Sequence, residues 1–244
     1  NLDSKVDLII KNNKIVKEVS KGEQVEIISN ETIFYAESGG QISDNGNIIG
    51  DNCKAKVLHS KKLKLSSGKV IYLTFVEITD GSLFSGQKIT QKIDIELRKQ
   101  ICAHHSATHL LHEALRQKLG LHVAQKGSLV TSDKLRFDFS HNKSLTLNEI
   151  KAIEDLVNHR IFCNDNVVTE IMTPTDAAKT GAIALFGEKY GEEVRVVSIG
   201  KSVDGNRNAW SVEFCGGTHV KNTSEISSFK IISETGISSG VRRI

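Results

Sequence analysis

Two short stretches, HHSATHLLH at residues 104–112 and CGGTH at residues 215–219, decide how this sequence is interpreted. Each contains two metal-binding side chains four residues apart, namely His105 with His109 and Cys215 with His219. Residues four apart lie on one face of a helix, so the two histidines could grip one ion from the same side. Taken singly, the stretches have simpler explanations, a partly buried histidine pair and a glycine-rich turn beside a core cysteine. Both pairs in one chain favour a shared site, and thiolate with imidazole suits zinc.

The first stretch lies inside a longer helical pattern. Apolar residues recur at helical spacing through IELRKQICAHHSATHLLHEALRQKLG, and Gly120 is a suitable end. The pattern predicts a long helix that opens a second domain at residue 95. Thr108 and His112 share the metal-facing stripe, whereas His104 points about 100° away. Because CGGTH supplies two more ligands, His112 is expected to contribute a supporting hydrogen bond or a core contact.

Residues 1–94 show strand-like runs separated by turns, among them QVEIIS, GNIIGD and VIYLTFVEI. They predict a small antiparallel β-barrel domain. Within it, the glycines of ESGGQ, Gly39 and Gly40, allow positive φ or close approach to a ligand, so that Gln41 presents an amide at the tip. The simpler alternative is a β-turn with an exposed Gln41.

A lysine-rich segment, KAKVLHSKKLKLSSGK at residues 54–69, alternates charged and apolar residues. It predicts a strand pair with a basic face, which is either merely solvated or able to follow a phosphate backbone.

The second half mixes helices and strands. HVAQKGSLV and LRFDFS predict a hairpin that carries Gln125, and a capping box at Thr146 and Glu149 predicts a helix. A short helix follows Pro174, FGEKYGEE turns into the strand EVRVVSIG, and WSVEF leads as a strand into CGGTH. The fold class is therefore α+β, with the barrel followed by a two-layer α/β domain at residues 95–244.

Bulk properties restrict the setting. The 244 residues are 39% hydrophobic, with a net charge of +3 that permits nucleic-acid contact without requiring it. The sequence shows no apolar run of about eighteen residues and no signal-peptide core. We therefore expect the protein in the cytoplasm and expect no membrane partner. Asn1 in place of Met suggests a piece of a longer polypeptide.

Several motifs in order resemble the editing domain of bacterial alanyl-tRNA synthetases: ESGGQ with SDNG, HSATHLLHEAL, AQKGSLV with LRFDFSH, GAIALFGEKYGEEVRV, CGGTH and SGVRRI. Related free-standing deacylases and the second additional domain of threonyl-tRNA synthetases share the two zinc motifs. The resemblance runs over nearly the whole chain. The sequence contains no counterpart of the ATP-dependent aminoacylation core, the tRNA-recognition helices or the oligomerisation region. ATP is therefore not expected as a cofactor of this piece, and the piece is expected to be a monomer.

The resemblance implies a hydrolase that cleaves tRNA(Ala) wrongly charged with serine or glycine, with the aminoacylated 3′ end as its partner. It also implies one zinc ion held by His105, His109, Cys215 and His219. Zinc is expected either to activate a bound water for attack on the ester or to fix the substrate in place. Gln125 and Gln41 are candidates for orienting that water or the ribose end, and Gly39 and Gly40 for lining the substrate.

Thr108 is the candidate for selectivity. Serine is larger than alanine by one hydroxyl, so selection by size cannot work in the usual direction, and the editing pocket should recognise the hydroxyl itself. We expect the Thr108 hydroxyl to bond the serine side chain, although back-bonding of Thr108 to the preceding helical turn is an equally simple explanation for a mid-helix threonine. Two functional alternatives stay open: a free-standing trans-editing deacylase, and a zinc-stabilised RNA-binding module without hydrolysis.

Overall fold

The structure, a computed structural model, describes residues 1–184, 191–200 and 209–244. These residues form two compact units. The first consists of Asn1–Ser38 with Ile42–Arg98, and the second of Gly39–Gln41 with Lys99–Ile244. The functional boundary expected after residue 94 stays a prediction. The observed grouping differs from it at two places, because the first unit continues to Arg98 and the tripeptide Gly39–Gln41 belongs to the second unit.

The first unit is a β-barrel. Its strands are β1 (Leu2–Lys11), β2 (Lys14–Val16), β3 (Glu18–Ser20), β4 (Gln24–Ser29), β5 (Gly46–Gly50), β6 (Cys53–Lys64), β7 (Val70–Phe84) and β8 (Lys88–Ile93). Six of them follow the order β1-β4-β7-β6-β5-β8, and antiparallel pairing of β1 with β8 closes the barrel. Inward-facing side chains such as Val6, Ile27, Ile48 and Val76 fill it. The expected small antiparallel barrel is confirmed.

The lysine-rich segment differs from its prediction. Residues 53–64 form the single strand β6, which pairs along its length with β7. The second strand of the pair, β7, begins only at Val70, after the turn at residues 65–69. It therefore lies outside the lysine-rich segment. Alternation along β6 is interrupted between Val57 and His59, where a register shift turns the following side chains over.

The remaining elements mix helices with two small sheets. They are α1 (Ile95–Leu119), β9 (Gln125–Val130), β10 (Leu135–Ser140), α2 (Leu147–Phe162), β11 (Val167–Met172), α3 (Pro174–Lys179), β12 (Val194–Ile199), β13 (Ser211–Phe214), a 3-10 helix (Thr223–Ile226), β14 (Thr235–Ser238) and β15 (Val241–Arg243). One antiparallel sheet has the order β14-β15-β10-β9 and the other β11-β12-β13. Together with the barrel, this agrees with the expected α+β class.

One hydrophobic core joins α1 and α2 to both sheets. Its members include Leu111 on α1, Phe137 on β10, Ile153 on α2 and Trp210 just before β13. The predicted hairpin is present as β9 and β10. Burial on this core fixes which face of α1 points inward, and it leaves a second, polar stripe of α1 for the site described below. The two-layer arrangement of this unit stays a prediction.

Local sequence signals set the ends of the shorter helices. The Thr146 side chain accepts from the Glu149 N–H while the Glu149 side chain caps the Thr146 N–H, so the predicted capping box is present. Pro174 opens α3, with Thr173 as its N-cap. The turn expected at FGEKYGEE falls largely on residues 185–190, outside the described residues. Within the described ranges, no helix combines the length and the apolar character that a membrane span needs.

Candidate metal centre

Four side chains of the second unit converge into one group of metal-binding atoms. They are His105 and His109 from α1 with Cys215 and His219 from the segment after β13, and one donor atom of each lies within 4.8 Å of all the others. Sγ of Cys215 is 3.4 Å from Nε2 of His105 and 3.2 Å from Nε2 of His219. The group is close enough to bind a metal ion.

Two donors lie on a helix, and the other two lie on the segment that follows a strand. His105 and His109 are one turn apart on α1, and their rings stack at 5.4 Å between centroids. β13 ends at Phe214, so Cys215 is the first residue beyond the strand, and the chain then bends until His219 faces it. Arg195 on β12 holds the bend by donating to the carbonyls of Cys215 and Gly217, at 2.7 Å each.

Gly217 lets the bend pass directly against α1. A Cβ atom at Gly217 would overlap the His105 imidazole and would lie 2.9 Å from Oε1 of Gln41, whereas a Cβ at Gly216 would meet nothing within 4 Å. The two glycines of CGGTH therefore differ in what they do. Only Gly217 is required for the close approach between the bend and the helix.

Each histidine of the group is held from behind through Nδ1. Nδ1 of His105 lies 2.7 Å from Oε1 of Gln41, Nδ1 of His109 lies 2.8 Å from Oε2 of Glu213, and Nδ1 of His219 lies 3.2 Å from Oγ of Ser106. An acceptor on Nδ1 fixes the tautomer that leaves the Nε2 lone pair free. In His105 and His219 the other ring nitrogen, Nε2, lies next to the Cys215 sulfur, where it can serve as a ligand.

The protonation of the group depends on its internal charges. Burial lowers the pKa of His109, but the charges of Glu213 and Cys215 outweigh burial and raise this pKa to about 10. For Cys215, burial raises the pKa of the thiol, yet the charge of His109 and the hydrogen bonds from His105 and His219 bring it well below its ordinary value. Burial lowers the pKa of His219 to about 3. Cys215 is thus a thiolate and His219 a neutral imidazole, the forms that bind metal.

The donor set fits a zinc ion. In a tetrahedral site with Zn–N and Zn–S bonds of about 2.0 to 2.3 Å, neighbouring donors stand roughly 3.3 to 3.6 Å apart. The two sulfur–nitrogen distances above fall in or close to that range. Nε2 of His109 is also buried with no hydrogen-bond partner among the described residues, an arrangement that costs free energy unless a ligand satisfies the atom.

Thr108 and His112 occupy the same stripe of α1 and have protein partners. The Thr108 hydroxyl donates to the His104 carbonyl at 2.8 Å, which is the back-bonding alternative. Its oxygen keeps lone pairs, so Thr108 can accept a further hydrogen bond but has no proton left to donate. Nδ1 of His112 lies 3.1 Å from Oε1 of Glu213, and His112 stands outside the group of four.

The ESGGQ turn contributes directly to the second unit. Gly39 and Gly40 have φ values of +61° and +83°, so the conformational reason for two glycines is confirmed. Gln41 is fully buried, which excludes the exposed-turn alternative. Besides His105, its side chain bonds both the backbone N–H and the hydroxyl of Thr218, at 2.8 and 2.9 Å. This amide is occupied within the protein, unlike the free amide expected at a tip.

Gln125 begins β9, opposite Phe139 of β10, and is half-buried. The described contacts of the four-residue group do not include it, and its role stays a prediction. Ser106 and Glu213 are site residues that sequence reasoning missed. Glu213 had a detectable signal in the sequence, because it is the one charged residue of the strand-like WSVEF and lies two residues before Cys215.

Two family models match separate parts of the chain. Residues 194–244 match the family model described as the Threonyl and Alanyl tRNA synthetase second additional domain. This region contains Cys215 and His219. Residues 1–97 match the model described as tRNA synthetases class II (A).

Two relatives are similar to nearly the whole chain. The chain is 45% identical over 241 residues to the Alanine--tRNA ligase of Sinorhizobium medicae (strain WSM419). The aligned residues are 98% of this chain and 27% of the relative. It is also 45% identical over 238 residues to the Alanine--tRNA ligase of Chelativorans sp. (strain BNC1), covering 97% and 26%. The chain spans about a quarter of the length of the curated relatives it matches.

Proposed function

Because this chain belongs to the alanyl-tRNA synthetase family, we propose that its second unit hydrolyses the ester of tRNA(Ala) mischarged with serine or glycine. The observation that carries the proposal is the convergence of the donor atoms of His105, His109, Cys215 and His219, in which Cys215 is a thiolate and His219 a neutral imidazole. A synthetase needs such a second site because its first pocket cannot reject glycine, which is smaller than alanine, or strongly reject one added hydroxyl.

The four residues of the group would hold one zinc ion. Bound zinc would supply Lewis acidity toward the ester or the attacking water, or would fix the aminoacyl group in place. Gln41, Glu213 and Ser106 are positioning residues, since they orient the imidazoles and do not need to touch substrate. We assign Gln125 to orienting the water or the ribose end, and Gly39 and Gly40 to the wall against which the substrate lies.

Thr108 would recognise the serine hydroxyl as an acceptor. Its own proton is committed to His104, so the serine hydroxyl has to donate to Oγ1 of Thr108. Alanine offers no such proton, so Thr108, which is only 5% exposed, makes one hydrogen bond fewer when alanine is bound. A hydrogen bond of this kind is worth about 1 to 3 kcal/mol when its loss leaves a buried group unpaired.

A second candidate function follows from the number of ligands. Four protein ligands describe a closed, structural zinc site, whereas a catalytic zinc keeps one position open. A zinc-stabilised module that binds RNA without hydrolysing it would have the same four-residue group. A free-standing deacylase would share the chemistry of the leading proposal and differ only in how tRNA reaches it. In each case we expect a monomeric chain of the cytoplasm.

Hydrolysis of Ser-tRNA(Ala) by the purified chain and by Cys215→Ala, with bound zinc and circular dichroism measured in parallel, tests the proposal. We expect the variant to lose both zinc and activity while it keeps its fold. Unfolding of the variant would show that the metal is structural. A wild-type chain that binds RNA and hydrolyses nothing would favour the binding module.

A further inference from the structure

The end of the β6–β7 hairpin, residues 61–72, projects from the barrel as a two-stranded ribbon. None of its twelve residues is buried, and ten are exposed, in contrast to Val57 and Leu73 where the strands join the barrel. A two-stranded hairpin is marginally stable by itself in water. Exposure on both faces therefore means that the ribbon adds little to the barrel and is available to a partner.

One face of the ribbon combines lysines with exposed apolar groups. Lys62 lies opposite Tyr72 and Lys64 opposite Val70, so these four side chains share a face. Tyr72 is 44% exposed and Val70 43%. Lys62, Lys64 and Lys69 form no ion pair with a described residue, whereas Lys61 on the opposite face is 3.9 Å from Glu26.

Positive charge is concentrated in and next to this ribbon. Residues 53–72 contain six lysines and no Asp or Glu, so the 29 acidic residues all lie elsewhere. With a net charge of only +3 for the whole chain, the rest of the sequence is net acidic. A polyanion approaching the protein is attracted to the hairpin and repelled by the average of the remaining surface.

We propose that the ribbon at residues 61–72 binds the sugar–phosphate backbone of RNA, with Lys62, Lys64 and Lys69 as the phosphate contacts. The choice of RNA as the polyanion rests on the proposed function. Lysine ammonium groups on a flexible stem bind phosphates without reading sequence, and Tyr72, opposite Lys62, offers a ring for stacking and a hydroxyl for a ribose 2′-OH. The ribbon would thus add affinity that is independent of the aminoacyl group.

A charge-matched pair of variants tests this inference. Lys62→Ala, Lys64→Ala and Lys69→Ala are combined in one variant, and the exposed Lys14, Lys17 and Lys21 of the same unit are changed to Ala in the control. Binding of a fluorescent, non-acylated RNA hairpin is measured by anisotropy across a salt series, with circular dichroism to verify the fold. Because both variants lose the same charge, a difference between them belongs to the ribbon.

We expect the ribbon variant to lower the slope of log affinity against log salt by about two to three, as for three lost phosphate contacts, and to weaken binding at low salt by at least about tenfold. The control should change affinity by about twofold or less. Equal weakening in both variants, no change in the ribbon variant, or no salt-dependent binding by the wild-type chain would overturn the inference.

The outcome is separable from the proposed function. A chain that binds the hairpin through the ribbon but does not hydrolyse Ser-tRNA(Ala) keeps this inference and removes the deacylase. A chain that hydrolyses Ser-tRNA(Ala) with the same KM in both variants keeps the deacylase and removes the ribbon contact. If both proposals hold, KM rises in the ribbon variant and kcat does not change.

Discussion

At the residue scale, each imidazole of the metal-binding group depends on a residue that contacts its Nδ1 atom. The two pairs His105 with His109 and Cys215 with His219 are visible in sequence because each lies within one local element. The sequence does not show which residues contact these donors. Ser106 and Glu213 contact histidines about a hundred positions away, and Gln41 comes from a turn within the barrel sequence. No local pattern encodes such distances.

Thr108 is the residue at which selectivity can be tested. Thr108→Val keeps the shape but removes the acceptor, so we expect the preference for Ser-tRNA(Ala) over Ala-tRNA(Ala) to fall by about 5- to 150-fold, the equivalent of 1 to 3 kcal/mol. Thr108→Ser is the matched control, because it restores a hydroxyl and should retain the preference. Single-turnover hydrolysis of both substrates measures the ratio. A valine variant that still strongly prefers the serine ester would remove Thr108 from the account.

The two glycines of CGGTH provide a second test at the same scale. Gly217→Ala places a methyl group into the His105 ring, so we expect loss of most bound zinc, while Gly216→Ala should retain about one ion per chain. Metal analysis of the two purified variants, with circular dichroism, makes the comparison. Equal zinc content would mean that the bend can shift and that its close packing on α1 is not needed.

At the element scale, the barrel, α1, the β9–β10 hairpin and the capped helix α2 follow from periodicity and turn chemistry. The lysine segment shows where such patterns fail. Its alternating residues predict a strand, but the pairing partner β7 is set by the barrel, and a register shift after Val57 reverses the exposed face. The order of the strands likewise depends on closure of the barrel. This closure pairs β1 with β8, which lie near opposite ends of the unit's sequence.

The segment after the 3-10 helix is fastened to α2 by side chains in place of a β-ladder. Asn158 both donates to the Phe229 carbonyl and accepts from the Phe229 N–H, at 2.8 Å each. Asn158→Ala should therefore lower the free energy of unfolding by about 2 kcal/mol, since two hydrogen bonds to a buried segment are lost. Asn148→Ala, exposed on the same helix, should change it by less than about 0.5 kcal/mol. Urea denaturation distinguishes them, and equal values would contradict this role of Asn158.

At the scale of the whole molecule, the metal-binding group brings together three distant parts of the chain. α1 and the CGGTH bend supply the donors, and the ESGGQ turn, which leaves the barrel sequence to join the second unit, supplies the amide behind His105. The sequence motifs named these parts separately. Their convergence depends on the hydrophobic core that packs α1 against both sheets, which is a collective property of many apolar residues.

The proposed role of the metal is that one zinc ion in this group supports ester hydrolysis. Its most direct test is to remove metal from the chain with a chelator, return zinc in measured steps, and follow both the fold and the hydrolysis of Ser-tRNA(Ala). We expect the fold to survive metal removal and the rate to rise linearly to a plateau at one zinc per chain. Full hydrolysis by the folded, metal-free chain would contradict it.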